Sequence, residues 1–220
     1  MNARSATAPP LTLVTVFGLA ALALAGCATA PPTPNLPPIN RGLAASAHQG
    51  NPMAELTLGL GTLARARTRA ERQAGVAWVR RAADANLAMA QDRLARLYLT
   101  GYGVPQDTSE ALSWFQRAAK RGAPAAQLEL GHLYAVGALV PVDKAKAYYW
   151  YSIAAKPVQS DVTIFNIDQV RRFARKRARA LAASLTPAQR DSVSSQVAAW
   201  VPISSVPYSS MIPIRSSRAR

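Results

Sequence analysis

Cys27 is the only thiol in a chain of 220 residues. A single cysteine excludes a disulfide framework, a Cys-rich zinc site and a Cys-x-x-Cys redox pair within one chain. The two histidines, His48 and His132, have no third partner at ligand spacing and read as ordinary surface or boundary residues. Asp107 and Asp143 stand 36 residues apart where helices are expected to begin, which favours capping over acid–base work. The stronger chemical signal is positive charge: 26 Lys+Arg against 11 Asp+Glu give a formal charge of +15. Hydrophobic residues make up 50% of the chain, so it is not a wholly disordered basic tail. One basic cluster, Arg171, Arg172, Arg175, Lys176 and Arg179, falls within about 140° of arc on a helix. A second comprises Arg65, Arg67, Arg69, Arg72, Arg80 and Arg81. Either is a solvated face, or a contact for anionic lipid headgroups, an acidic polysaccharide or an acidic protein.

What surrounds Cys27 decides its use. Residues 11–25, LTLVTVFGLAALALA, are unbroken apolar sequence, preceded by a short polar segment whose only charge is Arg4. About 15 residues fall short of the roughly 20 needed to span a bilayer core, so the segment reads as a signal peptide ending at residue 26. Leu24, Ala25, Gly26 and Cys27 resemble the bacterial lipobox. That resemblance implies cleavage before Cys27 and covalent diacylglyceryl and N-acyl (palmitate) chains on it; no other cofactor is expected. Ala28, where Asp would mark inner-membrane retention, implies the periplasmic face of the outer membrane of a Gram-negative bacterium. Residues 28–40 carry five prolines and no charge and are expected to form an extended tether, with a reach of about 40 Å.

The body is organised by a repeat. Trp78, Trp114 and Trp150 lie 36 residues apart, inside WVRRAADAN, WFQRAAKRG and WYSIAAKPV. The register extends through Leu94/Leu130, Leu97/Leu133, Tyr98/Tyr134, Gly101/Gly137, Val104/Val140, Pro105/Pro141 and Ala111/Ala147. Each copy reads as two helices. Gly101 is placed to end the first in a left-handed conformation. Asp107 opens the second, with Glu110 completing a capping box, and Gly122 stops it. Alanines and Gly131 mark close approach of paired helices, and Trp and Tyr fill the space between layers. One hairpin cannot bury such a face; stacked neighbours can.

The phased Leu, Tyr, Gly, Val-Pro, Asp, Trp and Ala-Ala positions resemble the Sel-one-like repeat, a relative of the tetratricopeptide repeat. Copies 87–122 and 123–158 match well, copy 51–86 weakly, and LAASAHQG at 43–50 looks like a truncated second helix. The expected fold is all-α: a right-handed superhelical solenoid over residues 41–158. Copy one lacks the Tyr and Gly and places Arg65, Arg67 and Arg69 at its turn, while copy three has Leu139 where copy two has Gly103. Those two turns are expected to be the least secure.

After the repeats, residues 162–185 read as one long helix with an apolar stripe through Ile164, Ile167, Val170, Ala174, Ala178, Leu181 and Leu185. Thr186-Pro187 then opens a helix to about Trp200, and the two form a cap over residues 159–200. Residues 201–220, ending in RSSRAR, are expected to be a disordered basic tail. Tyr149 shares a column with Ala77 and Ser113 and is expected to be an exposed aromatic available to a partner.

With no nucleophile, metal set or phosphate loop, the expected function is a non-enzymatic, membrane-anchored interaction scaffold for envelope proteins. Nucleic acid is not expected in that compartment. The rival reading is an envelope-polymer hydrolase using carboxylates such as Glu129 and Asp92, or a polysaccharide-binding module.

Overall fold

The computed structural model describes residues 41–137, 139–157 and 167–203. The signal segment, Cys27, the tether, residues 162–166 of the expected long helix and the tail beyond 203 lie outside the described residues. All regular structure among the described residues is helical: α1 Arg41–His48, α2 Pro52–Arg65, α3 Arg69–Asp84, α4 Ala88–Thr100, α5 Thr108–Lys120, α6 Pro124–Val136, α7 Lys144–Ala154, α8 Ile167–Ala182 and α9 Pro187–Ala199. Packing follows the repeat. α2 pairs with α3, α4 with α5 and α6 with α7, and the pairs stack through α3 on α4 and α5 on α6. α1 lies on α2 as the second helix of a truncated copy would, and α8 and α9 pack on α7 where a further copy would stand.

Local chemistry explains why each copy breaks where it does. Gly101 and Gly137 end α4 and α6 at φ 69° and 76°, each N–H bonding the carbonyl four residues back. The ends of the second helices form another left-handed column, Gly50, Asn86 and Gly122, with φ 83°, 66° and 85°. Asparagine tolerates that region, which is why copy one keeps the turn without glycine. Asp107 and Asp143 cap α5 and α7 by accepting from the amides of Glu110 and Lys146, at 3.0 and 2.9 Å. The expected capping box at Asp107 is only half made, because Glu110 accepts instead from the indole N–H of Trp114 at 3.0 Å. The loops close identically: the Asp107 and Asp143 amides donate to the carbonyls of Tyr98 and Tyr134.

Copy one solves its turn differently from expectation. Without a glycine at position 65 the chain stays helical through Arg65, and Thr68 and Glu71 then form a reciprocal capping box. The turn is three residues long and α3 starts a turn earlier than its counterparts. At the other doubtful turn, Leu139 is half-buried against the core.

The main core runs along the stack through Val79, Leu94, Phe115, Leu130 and Ile153, and Trp78 is buried with Ala47, Ala54 and Leu58 in a smaller cluster. Burying the polar column Glu55, Gln91 and Gln127 requires partners. Gln91 Nε2 donates to the Ala83 carbonyl and Gln127 Nε2 to that of Ala119, at 3.1 and 3.0 Å. A carboxylate cannot donate, so Glu55 accepts from Arg81 Nε at 2.8 Å.

The C-terminal cap corrects the sequence reading at both ends. α8 ends at Ala182, short of the expected 185, and buries Ala174 and Ala178, with Leu185 buried in the turn beyond it. α9 begins at Pro187 with a reciprocal capping box between Thr186 and Gln189. Residues 201–203 belong to the folded body and not to a free tail: the Ile203 amide donates to the Lys120 carbonyl at 2.9 Å, and Pro202 passes beside Gly122. Lys156 Nζ donates to the carbonyl of Val197 at 2.7 Å, sharing it with the Trp200 amide, and so ties the segment after α7 to the end of α9.

Candidate functional site

A concavity of about 340 Å³ lies between the first helices of successive copies. Leu60, Leu63 and Ala64 of α2 form one wall, Arg93, Arg96, Leu97 and Thr100 of α4 the other, and Tyr102 closes one end. Tyr102 is fixed there because its hydroxyl donates to the Leu63 carbonyl at 3.2 Å and Arg72 lies over its ring. The floor is therefore aliphatic and the rim cationic. Arg93 is exposed and has no hydrogen-bond or ion-pair partner among the described residues.

Arg96 is not free. It holds both oxygens of Asp92, at 3.2 and 3.4 Å, and reaches Glu129 Oε2 at 3.6 Å. The two carboxylates that a hydrolase would need are thus brought together, but onto one guanidinium, and Asp92 is only 6% exposed. Among the described residues no three His, Cys, Asp or Glu side chains converge to hold a metal ion. His48 and His132 are both exposed, with His48 edge-on to the Trp78 ring at 5.1 Å.

The basic clusters separate once packed. Half of the cluster between Arg65 and Arg81 is structural: Arg81 pairs with Glu55 and lies over Trp78, Arg80 bonds the Tyr98 hydroxyl, and Arg72 covers Tyr102. Arg65, Arg67 and Arg69 stay exposed near the first turn. In the α8 cluster, Arg172, Arg175, Lys176 and Arg179 are exposed together and wall a shallow concavity of about 300 Å³. Arg171 is half-buried and pairs with Asp168 at 3.5 Å.

Tyr149 is not the exposed aromatic expected from its column. It is half-buried, packs edge-on to Trp150 at 5.0 Å, and burial pushes its phenol above the ordinary value. Its column mates Ala77 and Ser113 are themselves half-buried, so the column marks a boundary and not an outer face. Tyr151, in the core column, is 2% exposed; burial raises its phenol as well, with Arg177 pulling the other way.

The groove residues Leu60, Arg93, Arg96 and Tyr102 were not singled out by sequence. The signal available was variation within the repeat: Leu60, Arg96 and His132 share one column, and Thr57, Arg93 and Glu129 another. Such positions change while the core around them repeats.

Paired antiparallel helices in phase, an open groove between them and capped ends define an α-helical repeat solenoid. A family model described as Sel1 repeat matches residues 88–122 and 124–156. No curated protein matches the chain. Several solved structures are similar, two of which are informative. One is a protective antigen present in uropathogenic Escherichia coli strains displaying an SLR fold, with TM-score 0.59 and 27% identity over 73% of this chain. This chain spans only 32% of that protein. The other is a Sel1 repeat protein from Oxalobacter formigenes, with TM-score 0.51 and 31% identity over 63% of this chain and 95% of that one. The chain belongs to the Sel1 repeat family. Sel1 repeat proteins generally act as protein-interaction scaffolds.

Proposed function

We propose that the chain is a lipid-anchored, non-enzymatic scaffold of the bacterial cell envelope that holds a polypeptide segment in the groove between α2 and α4. The observation that carries this reading is the groove's composition: an aliphatic floor of Leu60, Leu63 and Leu97 under an unpaired Arg93. That combination suits a segment presenting an aliphatic side chain next to an acidic one, since apolar burial supplies affinity and the cation sets register. The hydrolase alternative is disfavoured because Arg96 occupies Asp92 and Glu129. The lipobox resemblance at Leu24, Ala25, Gly26 and Cys27, followed by the Pro-rich residues 28–40, supports anchoring and the outer-membrane address.

A photo-crosslinking amino acid at Arg93 or Leu60, in cells expressing the full chain, tests the groove. Both positions should capture the same envelope protein, and a crosslinker at Arg190 on α9 should not. Leu97→Asp should abolish the capture from Leu60. Equal capture from all three positions, or capture indifferent to Leu97→Asp, removes the groove from the function.

A further inference from the structure

The groove leaves the largest charge feature unused. α8 carries six Lys and Arg in sixteen residues and one acid, Asp168, which is engaged with Arg171. Arg172, Arg175, Lys176 and Arg179 are all exposed and have no hydrogen-bond or ion-pair partner among the described residues. At about 100° per residue these four side chains lie within roughly 100° of arc, away from the buried line of Ala174 and Ala178. Nothing else on the helix offsets their mutual repulsion, so the face gains most from a surface of opposite sign. Phe173, 46% exposed, stands at the edge of this strip with the Arg177 guanidinium over its ring at 5.0 Å.

We propose that α8 docks on an anionic bilayer, its four cations contacting the phosphates of several headgroups and Phe173 entering the boundary beside them. A bilayer fits better than an acidic protein segment. The strip is long, shallow and flanked by alanine, and it offers no apolar pocket to seat a peptide side chain, whereas distributed headgroups need only charge and reach. Position agrees. α8 lies at the far end of the stack from α1. Three helix pairs lie between them, so four steps of about 8–10 Å separate them by about 32–40 Å. That is within the roughly 40 Å of reach expected for residues 28–40. The inference rests on the anchoring reading only in bringing a bilayer within that reach; with both in place, the solenoid is held at two points.

The test is co-sedimentation of the full chain carrying Cys27→Ser, which cannot be acylated there, with vesicles of phosphatidylethanolamine plus phosphatidylglycerol and with vesicles of phosphatidylcholine alone. The apolar residues 11–25 are expected to bind both compositions alike, so the difference between them reports the chain's positive charge, and the α8 variant assigns its share. Expected is an excess on the anionic vesicles that falls as salt rises. Each basic residue near an anionic surface is worth about fivefold in binding. The combined Arg172→Gln, Arg175→Gln, Lys176→Gln and Arg179→Gln variant should therefore reduce the excess by about a hundredfold or more. Equal binding to both vesicles overturns the proposal, as does an excess the variant retains. Binding of inorganic polyphosphate without any vesicle excess also overturns it and assigns the face to a soluble polyanion. Should that variant misfold, the single variants Arg172→Gln and Arg179→Gln decide, each expected to lower the excess about fivefold, and an excess that neither lowers overturns the proposal. Palmitate labelling of the unmodified chain in cells tests the anchor separately, because vesicle binding of the Cys27→Ser chain does not depend on it.

Discussion

Asp143 shows how much of this fold depends on single atoms at helix starts. Its carboxylate accepts from the Lys146 amide at 2.9 Å, and that bond, helped by the Lys146 charge, holds its pKa below the ordinary 3.8. Glu71 is lowered in the same direction by the amides of Thr68 and Arg67. A carboxyl whose folded pKa lies below its unfolded one stabilises the fold above the unfolded value and loses that contribution as pH falls through the folded one. Asp143→Asn keeps the capping oxygen but cannot titrate. The stability gap between parent and Asn variant should therefore be constant near neutrality and change as pH drops below about 4. Asp143→Ala should cost about 1 kcal/mol at neutral pH, because the amide loses its acceptor. Urea unfolding across pH checks both; a gap that moves only above pH ~5 would contradict the assignment.

At the scale of the helix pair, glycines with the same propensity have opposite roles. A Cβ on Gly131 would stand 2.7 Å from the Tyr151 ring, and Tyr151 is too buried to swing aside. A Cβ on Gly61 would meet nothing within 4 Å. Alanine gains about 1 kcal/mol over glycine in a helix interior, whereas overpacking costs about 1–3 kcal/mol. Gly131→Ala is thus expected to destabilise by up to about 2 kcal/mol, and Gly61→Ala to stabilise by about 0.5–1 kcal/mol. Thermal unfolding followed by circular dichroism reads both signs. A stabilised Gly131→Ala would mean that α6 and α7 are not packed this closely.

At the scale of the whole molecule, the described residues present two surfaces with different chemistry: an aliphatic groove with a cationic rim between α2 and α4, and a cationic strip on α8. In the reading proposed above, the first holds a polypeptide and the second a membrane, with Cys27 as the covalent point. Cys27→Ala is expected to leave an unprocessed precursor that takes up no labelled palmitate and no longer fractionates with the outer membrane. A variant that matures and fractionates like the parent would remove the anchor while leaving the groove untouched.

Sequence by itself determined what depends on neighbours within a few residues. The helix starts at Asp107, Asp143 and Thr186, the left-handed stops at Gly101, Gly122 and Gly137, and the 36-residue period all follow from i to i+4 geometry repeated in phase. The all-α solenoid was legible for that reason. Tertiary structure alone decided which charges are available, because a guanidinium reaches across helices. Arg81 is claimed by Glu55 from 26 residues away, Arg80 by Tyr98 in the next copy, and Arg96 by Asp92 and Glu129 in two copies at once. Among the described residues, Arg93 and the α8 cations Arg172, Arg175, Lys176 and Arg179 are left over. The groove was invisible for the same reason, since its walls come from helices that meet only when copies stack. The column rule misplaced Tyr149 because it read Ala77 and Ser113 as outward, when in the stacked fold both are half-buried.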